Sequence, residues 1–321
     1  MADYDVTHGK HPDHPELATV TLSSPSGLRA TFVPGAGMVG CSLTDDGVEL
    51  LGLRGGMSAY LDRGSSFGIP LLAPWANRLS SLHYEAAGQS IDLSPTATGI
   101  RIDGDTGQPI HGLFAAHPDW DLATSRAPID GPASVTAHLD HVYGRPRFES
   151  FPYTHRLTVT ASLMDRTLTI ATTLAATGTR HVPVAFGWHP YLAPAGADRA
   201  DWELDVPLTR RVVTGADHLP TGEVVDTPAL SGPLGDATHE TLYAEVPEGA
   251  RASVTGGGRR LALTIEQGYS YALLWAPADP KAVCIEPMTA PIDPFSGRFP
   301  LRTVAPGGWY TGIFSITVEA V

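Results

Sequence analysis

The chain of 321 residues carries 21 Lys and Arg against 34 Asp and Glu, which gives a formal net charge of −13. A surface this acidic repels phosphate backbones and anionic lipids, so we expect it to bind neither nucleic acid nor membrane surfaces. The 34 Gly and 28 Pro argue against a helical bundle or coiled coil and favour short strands joined by turns.

Several features bear on location and organisation. The first residues are polar and acidic, without the basic start and apolar stretch of a secretory signal, and no run approaches the roughly 18 apolar residues of a membrane span. Cys41 and Cys284 are too few for a disulfide scaffold and are expected as free thiols. We therefore expect a cytoplasmic monomer or homodimer, with residues 1–16 as a flexible lead-in and residues 17–321 as a single domain.

Apolar and polar residues alternate in several stretches, the pattern of a strand with one buried face. These stretches are 19–22, 157–163, 168–170, 202–208, 261–265 and 312–321. Turn signals separate them, and no helical period extends beyond about three turns. The segment 214–240, rich in Gly, Pro and Asp, is expected to form long surface loops. The whole pattern predicts an all-β protein, either an antiparallel sandwich or a barrel.

Two short motifs suggest other folds, but their contexts disagree with them. Residues 35–40 (GAGMVG) match the GxGxxG pattern of dinucleotide sites, which requires a helix where this sequence predicts a strand, a turn and another strand. Residues 64–68 (GSSFG) match the GxSxG pattern of hydrolases around Ser66. The required helix would be disrupted by Pro70 and Pro74. We interpret the glycines of the first motif as a tight bend between strands, and the context of each motif argues against the site that its pattern suggests.

Two further segments place polar side chains among apolar neighbours. In 68–79 (GIPLLAPWANRL), Asn77 and Arg78 follow an apolar stretch with two prolines. An Arg held there would present planar hydrogen bonds to a ligand or a carboxylate. In 109–115 (PIHGLFA), His111 taken alone is more typical of a core histidine than of a functional one.

His189 and Glu286 each follow an apolar β-run, in 181–192 and 282–295, and each directly precedes a Pro. Small residues come before each of them on the same face of the strand, so we expect open space above the sheet and a cavity at His189. Pro190 is expected to end its ladder. Burial raises a carboxyl pKa toward the range of a general base. Glu286 could instead be the partner of an arginine, and Arg78 is a candidate.

In this order, the four segments resemble the aldose 1-epimerases, or mutarotases, of the galactose mutarotase-like superfamily. The motifs are Pro-Trp-Ala-Asn-Arg, Ile-His-Gly, Gly-Trp-His-Pro-Tyr and Ile-Glu-Pro, and together they span most of the chain. The resemblance implies a large antiparallel β-sandwich with its site in a cleft on the concave face. It also implies an isomerase that interconverts the α and β anomers of a free hexose, with a small aldose as its ligand and no metal or redox cofactor.

The resemblance also implies roles for individual residues. His189 corresponds to the general acid and Glu286 to the general base of the family. Arg78 and His111 correspond to residues that bind sugar hydroxyls, and we count Asn77, beside Arg78, among the substrate-binding residues.

The chain departs from the family pattern at one sugar-binding position. The family uses an Asp to hold a distal hydroxyl, and the residue that fits best here is Glu240, in the segment HETLYAEV. For a glutamine used by some members, Gln267 is a nearby candidate. Trp75, Trp188 or Tyr191 could stack on a sugar face or belong to the core.

Two alternatives stay open. One is a hexose-6-phosphate 1-epimerase on the same fold, which needs an arginine cluster near the cleft. Arg145 with Arg147, or Arg210 with Arg211, could supply it. The other is a non-catalytic carbohydrate-binding protein that kept the fold. The presence of both expected catalytic residues argues against the second alternative.

Overall fold

The computed structural model describes residues 3–129, 131–279 and 281–321, so residues 1 and 2 of the expected lead-in lie outside the described part. The helices are α1 (Gly56–Arg63) and 3-10 helices at Pro34–Ala36, Phe148–Ser150 and Arg199–Asp201. The strands are β1 (Asp5–Lys10), β2 (Ala18–Ser23), β3 (Leu28–Val33), β4 (Val39–Asp45), β5 (Val48–Glu49), β6 (Leu71–Leu72), β7 (His83–Ala86), β8 (Gln89–Asp92), β9 (Asp121–Arg126), β10 (Ala133–His141), β11 (His155–Met164), β12 (Thr167–Ala176), β13 (Val182–Pro183), β14 (Gly187–Trp188), β15 (Tyr191–Leu192), β16 (Glu203–Val206), β17 (Arg210–Thr214), β18 (Pro220–Asp226), β19 (Leu230–Pro233), β20 (His239–Ala244), β21 (Arg251–Gly256), β22 (Arg259–Gln267), β23 (Tyr271–Ala276), β24 (Val283–Met288), β25 (Thr303–Val304) and β26 (Trp309–Ala320).

These strands form three larger sheets with antiparallel pairing. The five-stranded sheet has the order β1-β2-β3-β4-β5, and the nine-stranded sheet has the order β19-β16-β21-β22-β26-β12-β11-β10-β9. The eight-stranded sheet has the order β18-β17-β20-β23-β24-β14-β6, and β15 also pairs with β24. Two small ribbons, β7-β8 and β13-β25, complete the described pairings.

Side chains of the two largest sheets meet in a shared core. Trp188 on β14 donates its indole N–H to the hydroxyl of Thr172 on β12 at 3.0 Å and packs on Phe314 of β26. One cluster of buried apolar residues contains side chains from all three sheets. This cluster is consistent with a single domain, and the domain boundaries stay a prediction. The predicted antiparallel β-sandwich is confirmed, and each stretch of alternating residues corresponds to a strand: β2, β11, β12, β16, β22 and β26.

Three strands lie where composition suggested loops. Strand β1 falls inside the expected flexible lead-in and pairs with β2, and β18 and β19 fall inside the segment 214–240 expected to form loops. The expectation of long loops over 214–240 is therefore wrong. All three are edge strands with mostly exposed or half-buried side chains. Backbone hydrogen bonds hold such a strand to its sheet. Because neither face of the strand is buried, its sequence lacks the alternation of apolar and polar residues that reveals a half-buried strand.

Neither of the two short motifs forms the site that its pattern suggests, and the glycines of the first lie in a tight bend before β4 as expected. Gly37, with φ +74°, follows a 3-10 helix and precedes β4, and a Cβ there would lie 2.8 Å from the backbone nitrogen of Ala116. The 64–68 motif follows the end of helix α1, where Gly64 is the left-handed C-cap, and short strand β6 comes next. Neither position has the helix that would be needed for a phosphate or hydrolase site.

A buried aspartate ties the five-stranded sheet to the nine-stranded one. Asp45, at the end of β4, lies with its two carboxylate oxygens 2.8 Å from Arg166 Nη2 and 2.8 Å from Arg259 Nε. Burial raises the pKa of Asp45, but hydrogen bonds from Arg259 and Arg166 outweigh it and leave the pKa below its ordinary value. The interaction therefore stabilises the fold at neutral pH and is lost as the pH falls through the lowered pKa.

Replacing Asp45 with Asn should lower the free energy of unfolding at neutral pH by about 3 kcal/mol, because two partly buried guanidinium groups lose their counter-charge. The difference from the wild type should begin to shrink below about pH 4, where the carboxyl of the unfolded wild type becomes protonated, and should shrink further as the pH falls through the lowered pKa of the folded state. Urea denaturation over a pH series measures both effects. Asp140→Asn, which breaks the exposed pair with Arg156, is the control and should cost less than about 1 kcal/mol. Equal losses in the two variants would contradict the tie between the sheets.

Candidate active site

A cavity of about 220 Å³ lies on the eight-stranded sheet. All six residues that the sequence singled out line it, although they come from distant parts of the chain: Glu286, His189, Arg78, His111, Asn77 and Glu240. Strand β24 carries Glu286 opposite Leu273 of β23, and Glu240 lies on β20, which pairs with the other edge of β23. The structure thus brings the six together, while their individual roles stay predictions.

His189 and Glu286 form the buried floor of the cavity. Nε2 of His189 lies 3.3 Å from Oε1 of Glu286, and the two residues are 5% and 0% exposed. The His189 ring stacks parallel on the Tyr191 ring with centroids 4.5 Å apart, and the rings of Trp275 and His111 meet it edge-on. Aromatic packing on three sides therefore fixes the orientation of the imidazole.

Polar atoms in this floor lack protein partners. Both carboxylate oxygens of Glu286, Nδ1 of His189 and Nδ1 of His111 are buried and make no hydrogen bond to any described residue. Such groups are uncommon in folded proteins because leaving them unpaired costs about 1–3 kcal/mol each. A ligand rich in hydroxyl groups could satisfy them.

Burial shifts the titration of the pair in opposite directions. It raises the pKa of Glu286 well above its ordinary value, and the charge of Glu240 adds to this while Arg78 partly opposes it. Burial lowers the pKa of His189 to about 3, and the charge of Arg54 acts in the same direction. Both shifts have one cause, because a buried site disfavours any net charge. Together the two groups hold one proton over a wide pH range.

Arg78 is held in place by acidic and amide groups, but Glu286 is not among them. Its Nε donates to Asp103 at 2.7 Å, and its Nη1 donates to Glu240 at 3.2 Å and to the Asn77 side chain at 3.3 Å. The alternative in which Arg78 pairs with Glu286 is therefore wrong, since the neighbour of Glu286 is His189. The arrangement fixes the guanidinium at the cavity wall.

Backbone geometry explains why Asn77 and His111 occupy their positions. Both are left-handed, with φ of +56° and +61°, a region that Asn and His enter more readily than most residues. The backbone N–H of His111 donates to the Asn77 carbonyl at 2.9 Å. Gly112 follows, where a Cβ would lie 2.2 Å from the Ala73 carbonyl oxygen, so only Gly allows this close crossing.

Small residues beside the pair have a different role from the one expected. Gly187 and Cys284 do not line the cavity. A Cβ on Gly187 would lie 2.8 Å from the Pro287 carbonyl, so this glycine permits close strand approach, and Cys284 packs in a cluster with Tyr191. Nor does Pro190 end the ladder, because pairing resumes directly after it in β15. The expected cavity is present, but the small residues do not create it.

Several other residues that line the cavity were not predicted as site residues from the sequence. Arg54, Ser66 and Asp103 come from loops, and Trp275 comes from β23. The Tyr191 hydroxyl contacts Ser66 Oγ at 2.7 Å, Arg54 Nη1 at 3.2 Å and His189 Nε2 at 3.5 Å. Loop residues have no periodicity to reveal them, although the matched GSSFG motif had drawn attention to Ser66.

Several other candidates do not line the cavity. Trp75 and Trp188 are fully buried in the core, so only Tyr191 of the three aromatic candidates faces the site. Gln267 ends β22 in the nine-stranded sheet. Neither arginine pair proposed for phosphate lines the cavity: Arg145 lies near Asp119, Arg147 donates to the Leu113 carbonyl, and Arg210 pairs with Asp226 and Glu245, while Arg211 lies on β17.

Over the described ranges, no helix is long and apolar enough to cross a membrane. The same residues contain no group of three or more His, Cys, Asp or Glu side chains that could hold a metal ion. Cys41 and Cys284 are free and buried.

Solved structures of known proteins share this fold, and a sequence-family model matches a region that contains the whole site. Structures similar to this chain include a galactose mutarotase-like protein from Clostridium acetobutylicum (17% identity, 99% of each chain, TM-score 0.83). Others are an aldose epimerase homologue from C. elegans (18%, 99% of each, 0.73) and a galactose 1-epimerase from Lactobacillus acidophilus (12%, 100% of this chain and 99% of that one, 0.74). No curated protein sequence matches. The sequence model of aldose 1-epimerases matches residues 18–317, which include all six predicted site residues, and the chain therefore belongs to the aldose 1-epimerase family.

Proposed function

We propose that this protein is an aldose 1-epimerase that interconverts the α and β anomers of a free hexose of the glucose or galactose type. The observation that carries the proposal is the buried pair of Glu286 and His189, which lines a cavity of hydrogen-bonding side chains and whose carboxylate oxygens and Nδ1 have no hydrogen-bond partner among the described residues. The cytoplasmic location and the monomeric or homodimeric state expected from the sequence stay predictions.

The reaction opens and recloses the sugar ring. Glu286 removes the proton of the C1 hydroxyl, the C1–O5 bond breaks as a C1 carbonyl forms, and His189 delivers its proton to O5. Rotation about the C1–C2 bond turns the other face of the carbonyl toward O5. Reclosure returns one proton from O5 to His189 and another from Glu286 to the C1 oxygen. A positioned acid or base contributes on the order of 10²–10⁴-fold.

One proton on the pair is enough for both directions. Ring opening starts with protonated His189 and ionised Glu286, and it ends with neutral His189 and protonated Glu286. The total charge of the pair is zero in both states, so a buried site can hold each of them without an uncompensated charge. The raised pKa of Glu286 and the lowered pKa of His189 place the shared proton on Glu286 in the free site, so ring opening starts after the proton has moved to His189 within the pair.

The remaining polar side chains would hold the sugar. Arg78, fixed by Asp103 and Glu240, presents donors at the wall, and Glu240 can accept from a distal hydroxyl. His111 has a pKa well below its ordinary value because of burial and the neighbouring His189, so it is neutral and its Nδ1 is available for a hydroxyl.

Two arginines line the cavity, but Arg78 is already paired with Asp103 and Glu240. Nη1 of Arg54 donates to the Ser66 carbonyl and the Tyr191 hydroxyl. These pairings support an uncharged hexose rather than one that carries its phosphate in this cavity.

Polarimetry on freshly dissolved α-glucose and α-galactose tests the proposal. The wild type should relax the rotation far faster than the spontaneous reaction. Glu286→Gln and His189→Asn should each lower the enzymatic rate by about 10²–10⁴-fold, since the Gln amide cannot accept the C1 proton and the Asn amide cannot protonate O5. Glu203→Gln, an exposed carboxylate on β16, is the matched control and should keep full activity.

The outcomes separate the proposed enzyme from a carbohydrate-binding protein. A wild type that gives only the spontaneous rate, while calorimetry detects hexose binding, would favour the non-catalytic alternative. Full activity in Glu286→Gln, with the variant shown to be folded by circular dichroism, would contradict the assignment of the base.

The pH dependence of kcat/KM follows from the shifted pKa values. Below about pH 3 both groups are protonated and Glu286 cannot act as a base. Above the raised pKa of Glu286 the pair has lost its proton and His189 cannot act as an acid. We therefore expect a broad plateau between these limits, after subtraction of the spontaneous rate. A profile bounded by the ordinary values of about 4.3 and 6.5 would contradict the shared proton.

A further inference from the structure

A second groove adjoins the proposed sugar cavity and is lined by three arginines. Its volume is about 380 Å³, and Arg63, Arg101 and Arg147 line it together with Tyr60 and Asp62. The three arginines come from separate parts of the chain: the last residue of α1, the segment before Ile102, and the loop after β10.

Arg101 holds its charge inside this groove without a polar partner. Its Nη1 is buried and makes no hydrogen bond within the described segments, and its guanidinium carbon lies 5.4 Å from the centroid of the Tyr60 ring. The contact with Tyr60 supports the flat face of the guanidinium. Its N–H edge is left without an acceptor, and a buried donor without an acceptor is costly.

The other two arginines also keep donors available. Arg147 uses Nε for the Leu113 carbonyl at 3.0 Å, and the side chain of Arg63 makes no hydrogen bond to any described residue. Across residues 3–129, 131–279 and 281–321, no carboxylate oxygen lies within 4.0 Å of a nitrogen of Arg63, Arg101 or Arg147. Asp62 lines the groove but forms no such pair.

Two glycines provide the space that these guanidinium groups occupy. Gly64 has φ +68°, and a Cβ there would lie 2.4 Å from Nε of Arg101. Gly99 has φ +86°, and a Cβ there would lie 2.6 Å from Nε of Arg147. The backbone thus approaches two arginines at distances that a side chain at either position would prevent.

We propose that this groove binds a phosphate group. A phosphate offers several oxygens, and guanidinium groups match them with planar, paired hydrogen bonds. Three positive groups without carboxylate partners meet in one groove on a chain whose net charge is −13. The groove can therefore attract an anion locally, although the surface as a whole repels anions. The arginine pairs that adjacency in the sequence had suggested are not this set, and Arg147 alone is common to both.

The groove and the sugar cavity have no lining residue in common, but two chain segments contribute to both. Gly64 and Arg101 line the groove, whereas Ser66 and Asp103, each two residues further along, line the cavity. In addition, the backbone N–H of Ile110 donates to the Arg101 carbonyl at 2.9 Å, directly before His111. A bound phosphate could therefore belong to the substrate itself or to a separate phosphorylated molecule. The first possibility rests on the proposed function, because it requires the sugar in the cavity to be a substrate.

Calorimetric titration with inorganic phosphate at low ionic strength tests the site independently of catalysis. We expect saturable binding that is weakened about tenfold or more in Arg101→Gln and in Arg63→Gln, because each removes charge-assisted hydrogen bonds. Arg63 is exposed and makes no hydrogen bond to a described residue, so its variant should fold even if the Arg101 variant does not. Arg126→Gln, an exposed arginine on β9, is the control and should bind phosphate as the wild type does.

Absence of saturable phosphate binding, or equal affinity in the wild type and both groove variants, would overturn the proposal. Polarimetry on glucose 6-phosphate then identifies the source of the phosphate. If this sugar is turned over with a higher kcat/KM than glucose, and Arg63→Gln removes the advantage, the groove holds the phosphate of the substrate. If phosphate binds but glucose 6-phosphate gains no advantage, the groove holds a separate anion. Both results support the site, and loss of activity on every sugar would count against the proposed function alone.

Discussion

The burial of a carboxyl group beside an imidazole is the constraint on which the rest of this structure depends. Glu286 and His189 are almost completely removed from solvent, and protein groups satisfy few of their polar atoms. Neither could be buried alone in its charged form without a large cost. A pair that shares one proton avoids this cost because it is neutral overall. In the proposed reaction, the same condition lets the pair deliver one proton and accept another during ring opening.

The sandwich supports this pair from both sides of one short segment. Trp188 points into the core between the two largest sheets, where it is hydrogen-bonded to Thr172, while the next residue, His189, points into the cavity. Strand alternation thus links a rigid core residue directly to the proposed acid. Tyr191, two residues further on, stacks on the imidazole and connects it to Ser66. The orientation of the proposed acid is therefore set by packing before any ligand arrives.

The features that could be predicted from the sequence are those that leave a periodic pattern or an apolar context along the chain. Alternation placed the half-buried strands, and two ionisable residues after apolar β-runs marked the floor of the cavity. The edge strands β1, β18 and β19 have no buried face and left no such signal. The small residues Gly187 and Cys284 do not open the cavity as expected, because spacing along one strand does not show which neighbouring strand or side chain fills the space beside it.

Contacts between loops that are distant in the sequence could not be predicted, because loop residues follow no period that shows which segments meet. Asp103 fixes Arg78, and Arg63 joins Arg101 and Arg147 in the second groove. In each case the partners come from segments whose meeting depends on the path of the whole chain. Adjacent arginines in the sequence were a poor guide, since Arg210 is already paired with Asp226 and Glu245. Family motifs identified the residues that line the cavity but not the groups that position them.

The central claim is that Glu286 and His189 act as one proton-sharing unit. Its most direct test is the mutarotation rate of the double variant Glu286→Gln with His189→Asn, measured by polarimetry beside both single variants. If the pair works as a unit, the double variant should lose no more activity than the more damaged single variant, because either change already stops the exchange. If the two losses multiply, the residues act independently and the shared proton is contradicted.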